Sequence, residues 1–324
     1  MIAPSAGDSV ERMTSLRPAE ARRRLSRKHR EWLAAYLFLL PDALGLLVFL
    51  GVPMALALSL GFFEVDGFGT YEFIGLRNYR DMFDDPLFRG SLEVTAKYVV
   101  VLVPGLYVTG LVLALLVKQA LPLIAVFRGM LFLPNVISLV VIGLVWQFML
   151  VDRIGVVNKT IGRLQLDRIG IERRSWLGEP GLALGALLVI SIWFLMGYYM
   201  LIFLAGLQEI PREYYEAARI DGARPWHTFK DITLPLLKPT SFFILLTSTV
   251  TAVAGGQGFD LVFVMTQGGP ANSTNLIIFY IYQQAFQFSH YGYAAAMASF
   301  LVVVLVGLTG ILFALTKGGR FEFD

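Results

Sequence analysis

A carboxylate and an amide occur inside one of the most apolar parts of the sequence, directly after two glycines. Gly255 and Gly256 precede Gln257 and Asp260. Glycines can interrupt a membrane helix where its backbone lines a cavity, and a carboxylate inside a span is costly enough to be a functional candidate by default. The pattern predicts that Gln257 and Asp260 line a solute pathway. The alternative places Asp260 near the outer interface, paired with a basic loop residue.

Other polar and aromatic side chains of the apolar segments could contact a polar solute. A solute with hydroxyl groups and a C–H surface needs hydrogen-bonding partners and flat aromatic faces. The further candidates for this role are Asn135, Trp146, Gln147, Trp193, Tyr198 and Tyr199. Aromatic residues of this kind also serve as core or interfacial belt residues, which is the competing interpretation.

The sequence gives little support to enzymatic chemistry. It has no cysteine, and its three histidines are scattered without ligand spacing, so we predict no metal site. No G-x-x-x-x-G-K-[ST] phosphate loop is present, so we expect this chain neither to bind nor to hydrolyse ATP. A membrane-embedded transferase or hydrolase would need a convergent cluster of acids, bases or metal ligands, and the sequence shows none.

The composition is that of an integral membrane protein. Of the 324 residues, 56% are hydrophobic and 16% are charged, whereas a soluble domain has about a quarter of its residues charged. A helix needs about 20 apolar residues to cross the hydrocarbon core. Six runs are long enough, at about 33–60, 92–117, 127–150, 182–207, 237–266 and 292–315.

The basic residues predict how these spans are oriented. A basic tail over 1–30 precedes the first run, which is too long for a signal peptide and is expected to remain as an anchor. With six spans, 17 of the 27 lysines and arginines fall on the side of the two termini, although loop 151–181 on the other side carries six. Because cytoplasmic loops are enriched in these residues, we expect the tail, loop 208–236 and the C-terminal tail 318–324 to be cytoplasmic.

The stretch EYYEAARIDGARPWHTFKDITLPLLKPT is the most polar part of the second half of the chain. Pro211 suits the first turn of a helix, Gly222 can end that helix in a left-handed conformation, and Pro225 can open a second short helix. Pro235 and Pro239 are expected to limit the extension of this second helix into the fifth run. Two short helices around a glycine could receive another protein or lie on the membrane as an amphipathic loop, and these features alone leave both open.

The spacing Glu216-Ala217-Ala218, three residues, Gly222, nine residues, Ile232-x-Leu234-Pro235 resembles the EAA loop of ABC importer permeases. The resemblance implies that the loop docks into a cytoplasmic ATPase subunit and that the glutamate pairs there with a basic residue. The residues expected to couple this chain to its ATPase are Glu216, Ala217, Ala218, Asp221, Gly222, Ile232, Leu234 and Pro235.

Further segments extend the resemblance to nearly the whole chain outside the basic tail. FIGLRNYRDMF, LPNVISLVVIGLVWQFML and FDLVFVMTQGGPANST are similar to segments of the carbohydrate-uptake, maltose-permease-like family. This resemblance implies an all-α integral membrane protein of the type I ABC importer permease fold, with a permease domain over 31–317 and six spans. A secondary, ion-coupled transporter is the alternative, but we see no internal repeat and only Asp260 as a coupling candidate.

The resemblance also implies the assembly in which the chain works. The expected partners are a second permease of the same fold, two cytoplasmic ABC ATPases, an extracytoplasmic solute-binding protein and the lipid membrane, with no nucleic acid. No cofactor is expected in this chain, since ATP and Mg would be bound by the ATPases. The expected location is the bacterial or archaeal cytoplasmic membrane. The segment YGYAAAMAS places small residues on a helix face that could pack within the chain or against a partner.

Overall fold

The computed structural model describes most of the chain between the two tails. It covers residues 17–65, 69, 71–119, 122–152, 154–165 and 172–315, without the side chains of 17–30, 33 and 315. The predicted tail 318–324 and the first part of the basic tail therefore lie outside the described residues.

The first of two compact units ends at Ser59 and is helical where it is described. It consists of α1 (Arg17–Leu46), a π-turn (Leu47–Gly51) and α2 (Val52–Ser59). The amide of Val52 donates to the carbonyl of Leu47 just before Pro53, which has no amide of its own. A π-turn of this kind lets a helix continue past a proline.

The second unit begins with a short hairpin. The all-α fold predicted from the sequence did not include it. Strands β1 (Phe63–Val65) and β2 (Tyr71–Phe73) pair antiparallel, with Phe63 opposite Phe73. The facing rings of Phe63 and Phe73 lie 5.3 Å apart, and aromatic pairs of this kind stabilise two-stranded pairings. The part of the fold that the structure describes is thus helical with one small hairpin.

The rest of the second unit is helical. Its first helices are α3 (Arg77–Asp84), α4 (Pro86–Val117), α5 (Ile124–Val136), α6 (Leu139–Met149), α7 (Val156–Arg163) and α8 (Pro180–Glu209). They are followed by α9 (Arg212–Ile220), α10 (Pro225–Thr228), a π-turn (Phe229–Thr233), α11 (Leu234–Leu236) and α12 (Lys238–Ala254). The last elements are α13 (Gly256–Leu261), a π-turn (Val262–Thr266), α14 (Ile277–Tyr282), a π-turn (Gln283–Gln287) and α15 (Tyr291–Leu315).

Five helical stretches of the described chain are long and apolar enough to cross a membrane. They are Ala34–Phe62, Pro86–Val117, Pro180–Glu209, Lys238–Thr266 and Tyr291–Ala314. The third predicted run, 127–150, is not one continuous helix, because α5 and α6 meet at an angle of 93°. Ile137 is extended at that break, three residues after Pro134, whose missing amide weakens the helix end. Counted as one broken span, this pair gives six.

The core of the second unit lies between α4 and α8. Buried side chains of these two helices include Tyr98, Leu102, Leu106, Leu187, Tyr199, Phe203 and Leu207. Gly110 allows the close approach, since a Cβ there would meet the Tyr199 backbone carbonyl carbon at 3.2 Å. Small residues that let helix backbones approach closely are typical of membrane bundles.

The small-residue face at the start of α15 packs within the chain. Ala294, Ala296 and Met297 are buried, and a Cβ on Gly292 would collide with the backbone carbonyl of Phe63. The sequence left open whether this segment packs within the chain or against a partner, and in the structure it packs within the chain.

Candidate functional site

Helix α9 forms the first half of the loop between two spans. Pro211 is extended (φ −58°, ψ 137°) and stands just before the helix rather than in its first turn, so that detail of the sequence reading was wrong. The helix ends at Ile220, and Gly222 follows with a φ of +74°, which is the expected left-handed conformation. The amide of Ala223 donates to the Ala218 carbonyl at 2.9 Å, which closes the helix end as in a Schellman motif.

The tip of this loop is open to the surroundings. Glu216, Ala217, Asp221 and Gly222 are exposed, whereas Ala218 is buried against the rest of the chain. Within the described part of the protein, no salt bridge reaches Glu216. The tip therefore presents a carboxylate and a compact backbone turn that no residue of this unit covers.

Two large apolar side chains also lie on this open surface, and the sequence reading did not single them out as site residues. Ile220 is 87% exposed and Trp226 is 67% exposed. Both flank the Gly222 turn. Large apolar side chains grouped on an exposed surface are a feature of protein-interaction sites.

The second half of the loop runs into the following span with little interruption. Pro235 and Pro239 were expected to limit this extension, and that prediction was wrong, because the path stays helical from Pro225 to Ala254 apart from a turn at Leu237. The amide of Leu234 bonds to the carbonyl of Phe229 in a π-turn, which accommodates the missing proline amide. Ile232, Leu234 and Pro235 are half-buried at the base of the loop.

A polar contact ties the loop to the end of α4. The ammonium of Lys118 lies 3.3 Å from the hydroxyl of Tyr215 and 4.4 Å from the centre of its ring. The same hydroxyl lies 3.3 Å from Oγ1 of Thr233 on the returning half of the loop. Three elements therefore meet at Tyr215, which no sequence pattern had marked.

The predicted break in the fifth span is present. Helix α12 ends at Ala254, Gly255 is extended (φ −69°, ψ 143°), and α13 starts at Gly256. Gln257 and Asp260 follow on α13 and are half-buried. The Gln257 Oε1 atom is buried with no hydrogen-bond partner in the described structure. An acceptor left without a donor is costly unless a ligand or water satisfies it.

An aromatic cluster lies beside this segment and was missed by the sequence reading. Phe259 and Phe263 stack at 5.6 Å, and Tyr282 of α14 meets them at 5.1 and 5.6 Å. Phe286 continues the row 5.3 Å from Tyr282 and is 70% exposed. We call Phe259, Phe263, Tyr282 and Phe286 the aromatic row. The residues come from two elements separated in sequence, so only the fold brings them together.

The remaining sugar-type candidates fall into two groups. Trp146 and Trp193 meet edge to face at 5.7 Å, and Gln147 donates to the Met265 carbonyl at 3.4 Å, which places Gln147 next to the fifth span. Tyr198 is 40% exposed, whereas Tyr199 is only 1% exposed and lies inside the core. Asn135 is half-buried in α5.

A hydrogen-bonded hub lies at the start of α4, and the sequence reading had not predicted it. Asp85 accepts from the Leu87 amide at 2.8 Å, from the Tyr280 hydroxyl at 2.5 Å and from the Tyr293 hydroxyl at 2.9 Å. Gln284 donates to the Tyr280 hydroxyl at 3.0 Å. We call these residues the Asp85 hub. It joins the beginning of α4 to α14 and α15.

The hub keeps its carboxylate ionised. Burial by itself would raise the pKa of Asp85, but the hydrogen bonds from Tyr280, Tyr293 and the Leu87 and Phe88 amides outweigh burial and hold that pKa below its ordinary value. Burial, together with the hydrogen bond to this carboxylate, raises the pKa of Tyr280 well above its ordinary value. Tyr280 therefore stays a hydrogen-bond donor.

These features define a class of protein: a polytopic membrane protein with a broken, partly polar span and an exposed two-helix loop at one end. Residues 106–318 match the family described as binding-protein-dependent transport system inner membrane component, and the chain belongs to that family.

Relatives over the whole length agree with this membership. The chain is 36% identical over 282 residues to the sulfoquinovosyl glycerol transport system permease protein SmoG of Agrobacterium fabrum, which covers 86% of this chain and 89% of that protein. It is 36% identical over 280 residues to the lactose transport system permease protein LacF of Rhizobium radiobacter, covering 86% and 91%.

A solved structure has the same fold. It is a chain of a bacterial ABC transporter involved in the import of the acidic polysaccharide alginate, with a TM-score of 0.76 and 25% identity. The alignment covers 91% of this chain and 98% of that chain.

Membership in this family confirms the ABC importer permease that the EAA loop predicted. The chain is a multi-pass membrane permease of an ABC importer, the family works with a second permease and with a binding protein, and ATP hydrolysis resides in separate subunits. Neither the family match nor the relatives support the secondary-transporter alternative.

Proposed function

We propose that this chain forms half of the translocation pathway of an ATP-driven importer for a sugar or related polyol. The single observation that carries the coupling part is the exposed α9 tip, with Glu216 free of any described salt bridge and the backbone turned at a left-handed Gly222. The sugar class is supported by relatives named for lactose and for sulfoquinovosyl glycerol.

In this proposal both termini and loop 208–236 lie in the cytoplasm of a bacterium or archaeon. The distribution of lysine and arginine supports this orientation. A cytoplasmic tail over 1–30, a permease domain over 31–317 and a short tail over 318–324 make up the chain. The hairpin and the Asp85 hub then face the outside, where a solute-binding protein docks.

The coupling step uses the α9 tip as its docking point. Glu216 pairs with a basic residue of the ATPase, and Ile220 and Trp226 enter its apolar cleft. The buried Ala218 and the half-buried Ile232, Leu234 and Pro235 hold the tip to the spans, so that closure of the two ATPases moves the permease as a rigid body. The outer side then opens to the docked binding protein.

The solute path runs beside the broken fifth span. Gln257 and Asp260 supply polar groups there, while Asn135, Trp146, Gln147, Trp193 and Tyr198 line the neighbouring helices. Tyr199 was a candidate of the same kind, but it is only 1% exposed and lies inside the core. The hydroxyl groups of the solute exchange their hydrogen bonds with water for hydrogen bonds with these side chains.

Co-purification of the ATPase with the complete transporter tests the coupling proposal. Glu216→Lys should weaken ATPase association about 10- to 100-fold, since a charge-assisted contact contributes roughly 1.5–3 kcal/mol. Glu72→Lys, at an exposed position of β2, is the matched control and should leave the ATPase bound.

Solute-stimulated ATP hydrolysis in proteoliposomes should fall with the loss of association in Glu216→Lys. Normal association and hydrolysis in that variant would show that the loop is only a connector between two spans.

A further inference from the structure

Beyond Lys238, the fifth span and the elements that follow it carry almost no charged side chains, and the only formal charge is negative. Between residues 239 and 315 the sequence contains no lysine and no arginine, and Asp260 is its single acidic residue. The other proposed pathway residues are asparagine, glutamine, tryptophan and tyrosine. Asp260 is therefore the one formal charge among all the proposed pathway side chains.

Asp260 lies on the open face of its segment. Gly256, Asp260 and Phe263 are spaced four and three residues apart, so they share one helix face, and both Gly256 and Phe263 are exposed. In the described ranges no salt bridge neutralises Asp260. A charge that is half-buried in an apolar span and has no counter-ion among the described residues creates a negative potential on that face.

The neighbouring amide adds a second acceptor. The Gln257 Oε1 atom is buried and lacks a hydrogen-bond partner. A carboxylate and an amide oxygen one helical turn apart accept hydrogen bonds from hydroxyl or ammonium groups. The anionic group of a sulfonate, a phosphate or a uronate offers only further hydrogen-bond acceptors, and its negative charge is repelled by Asp260.

The aromatic row supplies the complementary apolar surface. Phe263 is 41% exposed and Phe286 is 70% exposed, and Tyr282 lies between them in the row. Open ring faces beside hydrogen-bond acceptors fit a pyranose ring, which combines hydroxyl donors with a flat C–H surface. They do not attract an anionic group, because ring faces are electron-rich.

We propose that the pathway beside the fifth span selects solutes without negative charge, namely neutral sugars, polyols or amino sugars, and that Asp260 and Gln257 are its specificity-determining acceptors. This inference rests on the proposed function and narrows it. Of the two relatives named above, lactose, the solute in one name, belongs to this class, whereas sulfoquinovosyl glycerol bears a negatively charged sulfonate and falls outside it.

The size of the discrimination follows from the electrostatics. Two like charges a few ångströms apart at an effective dielectric constant of about 20 repel strongly enough to reduce passage on the order of 100-fold. The same carboxylate strengthens the hydrogen bonds that a hydroxyl or ammonium group donates to it.

The first test is importer-dependent growth of cells that carry the complete transporter with its own binding protein. A panel of neutral, amino and acidic sugars serves as sole carbon source, with a strain lacking this chain as reference. Growth on neutral or amino sugars only is the expected result. Importer-dependent growth on an acidic sugar would overturn the inference and leave sugar import intact, whereas failure on every sugar would contradict the proposed function itself.

The second test measures initial uptake of the labelled sugar that supports growth. Asp260→Asn should reduce the maximal rate roughly tenfold, and Gln257→Leu should also reduce it, while the half-saturating concentration stays that of the binding protein. Asp84→Asn, an exposed carboxylate on α3, is the matched control and should transport at the normal rate. Immunoblots of the membrane fraction establish equal amounts of each variant. An unchanged maximal rate in both pathway variants would overturn the assignment.

Discussion

The two ends of α4 are built in opposite ways. At its N-terminal end, the Asp85 hub joins three helices through hydrogen bonds of 2.5–3.0 Å, with Tyr280 and Gln284 buried. At its C-terminal end, Lys118 meets Tyr215 of the proposed coupling loop at 3.3 Å, Tyr215 in turn meets Thr233 at 3.3 Å, and the loop beyond is mostly exposed. The helix has 32 residues, so these ends lie about 48 Å apart.

The difference shows at which end of α4 the chain satisfies its own polar and apolar groups. A carboxylate with three short hydrogen bonds needs no partner, and the hub locks its helices together. The loop exposes a carboxylate, an isoleucine and a tryptophan without covering them. We propose that a second protein completes this open surface, so that the assembly acts on this chain at the loop end.

The largest effect is expected from Gly222→Pro. Proline fixes φ near −65°, whereas Gly222 has a φ of +74° and donates its amide to the Arg219 carbonyl at 3.2 Å. The α9 tip cannot form, so transport and ATPase association should be abolished while membrane insertion persists. Fractionation, co-purification and uptake measure the three properties. Gly222→Ala, with a smaller penalty for the left-handed conformation, should give an intermediate loss. Full transport by the proline variant would refute the role of the turn.

Asp85→Asn should produce the next largest effect, at the other end of α4. The amide keeps one acceptor oxygen but loses the charge that holds two tyrosine hydroxyls, so we expect a loss of stability of about 2–3 kcal/mol. Thermal unfolding of the purified chain in detergent measures this change, and ATPase association should be unaffected. An equal loss of ATPase binding would break the separation between the two ends.

The pH dependence of stability checks the same hub. Because the pKa of Asp85 is depressed in the folded state, its contribution is fully present above the unfolded pKa of about 4 and is lost as the pH falls through the lower folded pKa. The wild-type chain should therefore lose its stability advantage over Asp85→Asn in acid. A constant difference down to a pH of about 2 would contradict this account.

The smallest effect is expected from Tyr215→Phe. This change keeps the ring under Lys118 and removes the hydroxyl that joins Lys118 to Thr233. Since these contacts are long, transport per ATP hydrolysed should fall only about two- to fivefold, with ATPase association unchanged. Tyr36→Phe, an exposed tyrosine of α1, is the matched control. An unchanged ratio of transport to hydrolysis would show that this contact does not contribute to the coupling of ATP hydrolysis to transport.

The coupling loop was predictable because its signals are local. A glycine at the end of a short polar helix indicates a left-handed stop whatever packs around it, and Gly222 has that conformation. The break at Gly255 was also predictable from a local signal, since two adjacent glycines indicate an interrupted helix, although Gly255 is extended rather than left-handed. The prediction from the prolines was wrong: a π-turn accommodates Pro235, and Pro239 lies in the first turn of α12, where a proline is tolerated.

The Asp85 hub and the aromatic row could not be predicted in this way. Asp85 and Tyr293 are more than two hundred residues apart, and nothing in either neighbourhood indicates the other. The same holds for Phe259 and Tyr282, which meet only because α14 packs beside α13. The angle between α5 and α6 is also beyond a hydropathy pattern, which measures apolar length and not direction.

The sequence by itself determined that the chain spans a membrane, where its spans lie and which loop carries the coupling pattern. Those properties follow from apolar run length, charge distribution and backbone preferences of single residues, all of which are local. The tertiary structure decided which polar groups are satisfied and which are left open. Asp85 gained its donors and Gln257 remained without one because hydrogen-bond satisfaction depends on contacts between distant helices.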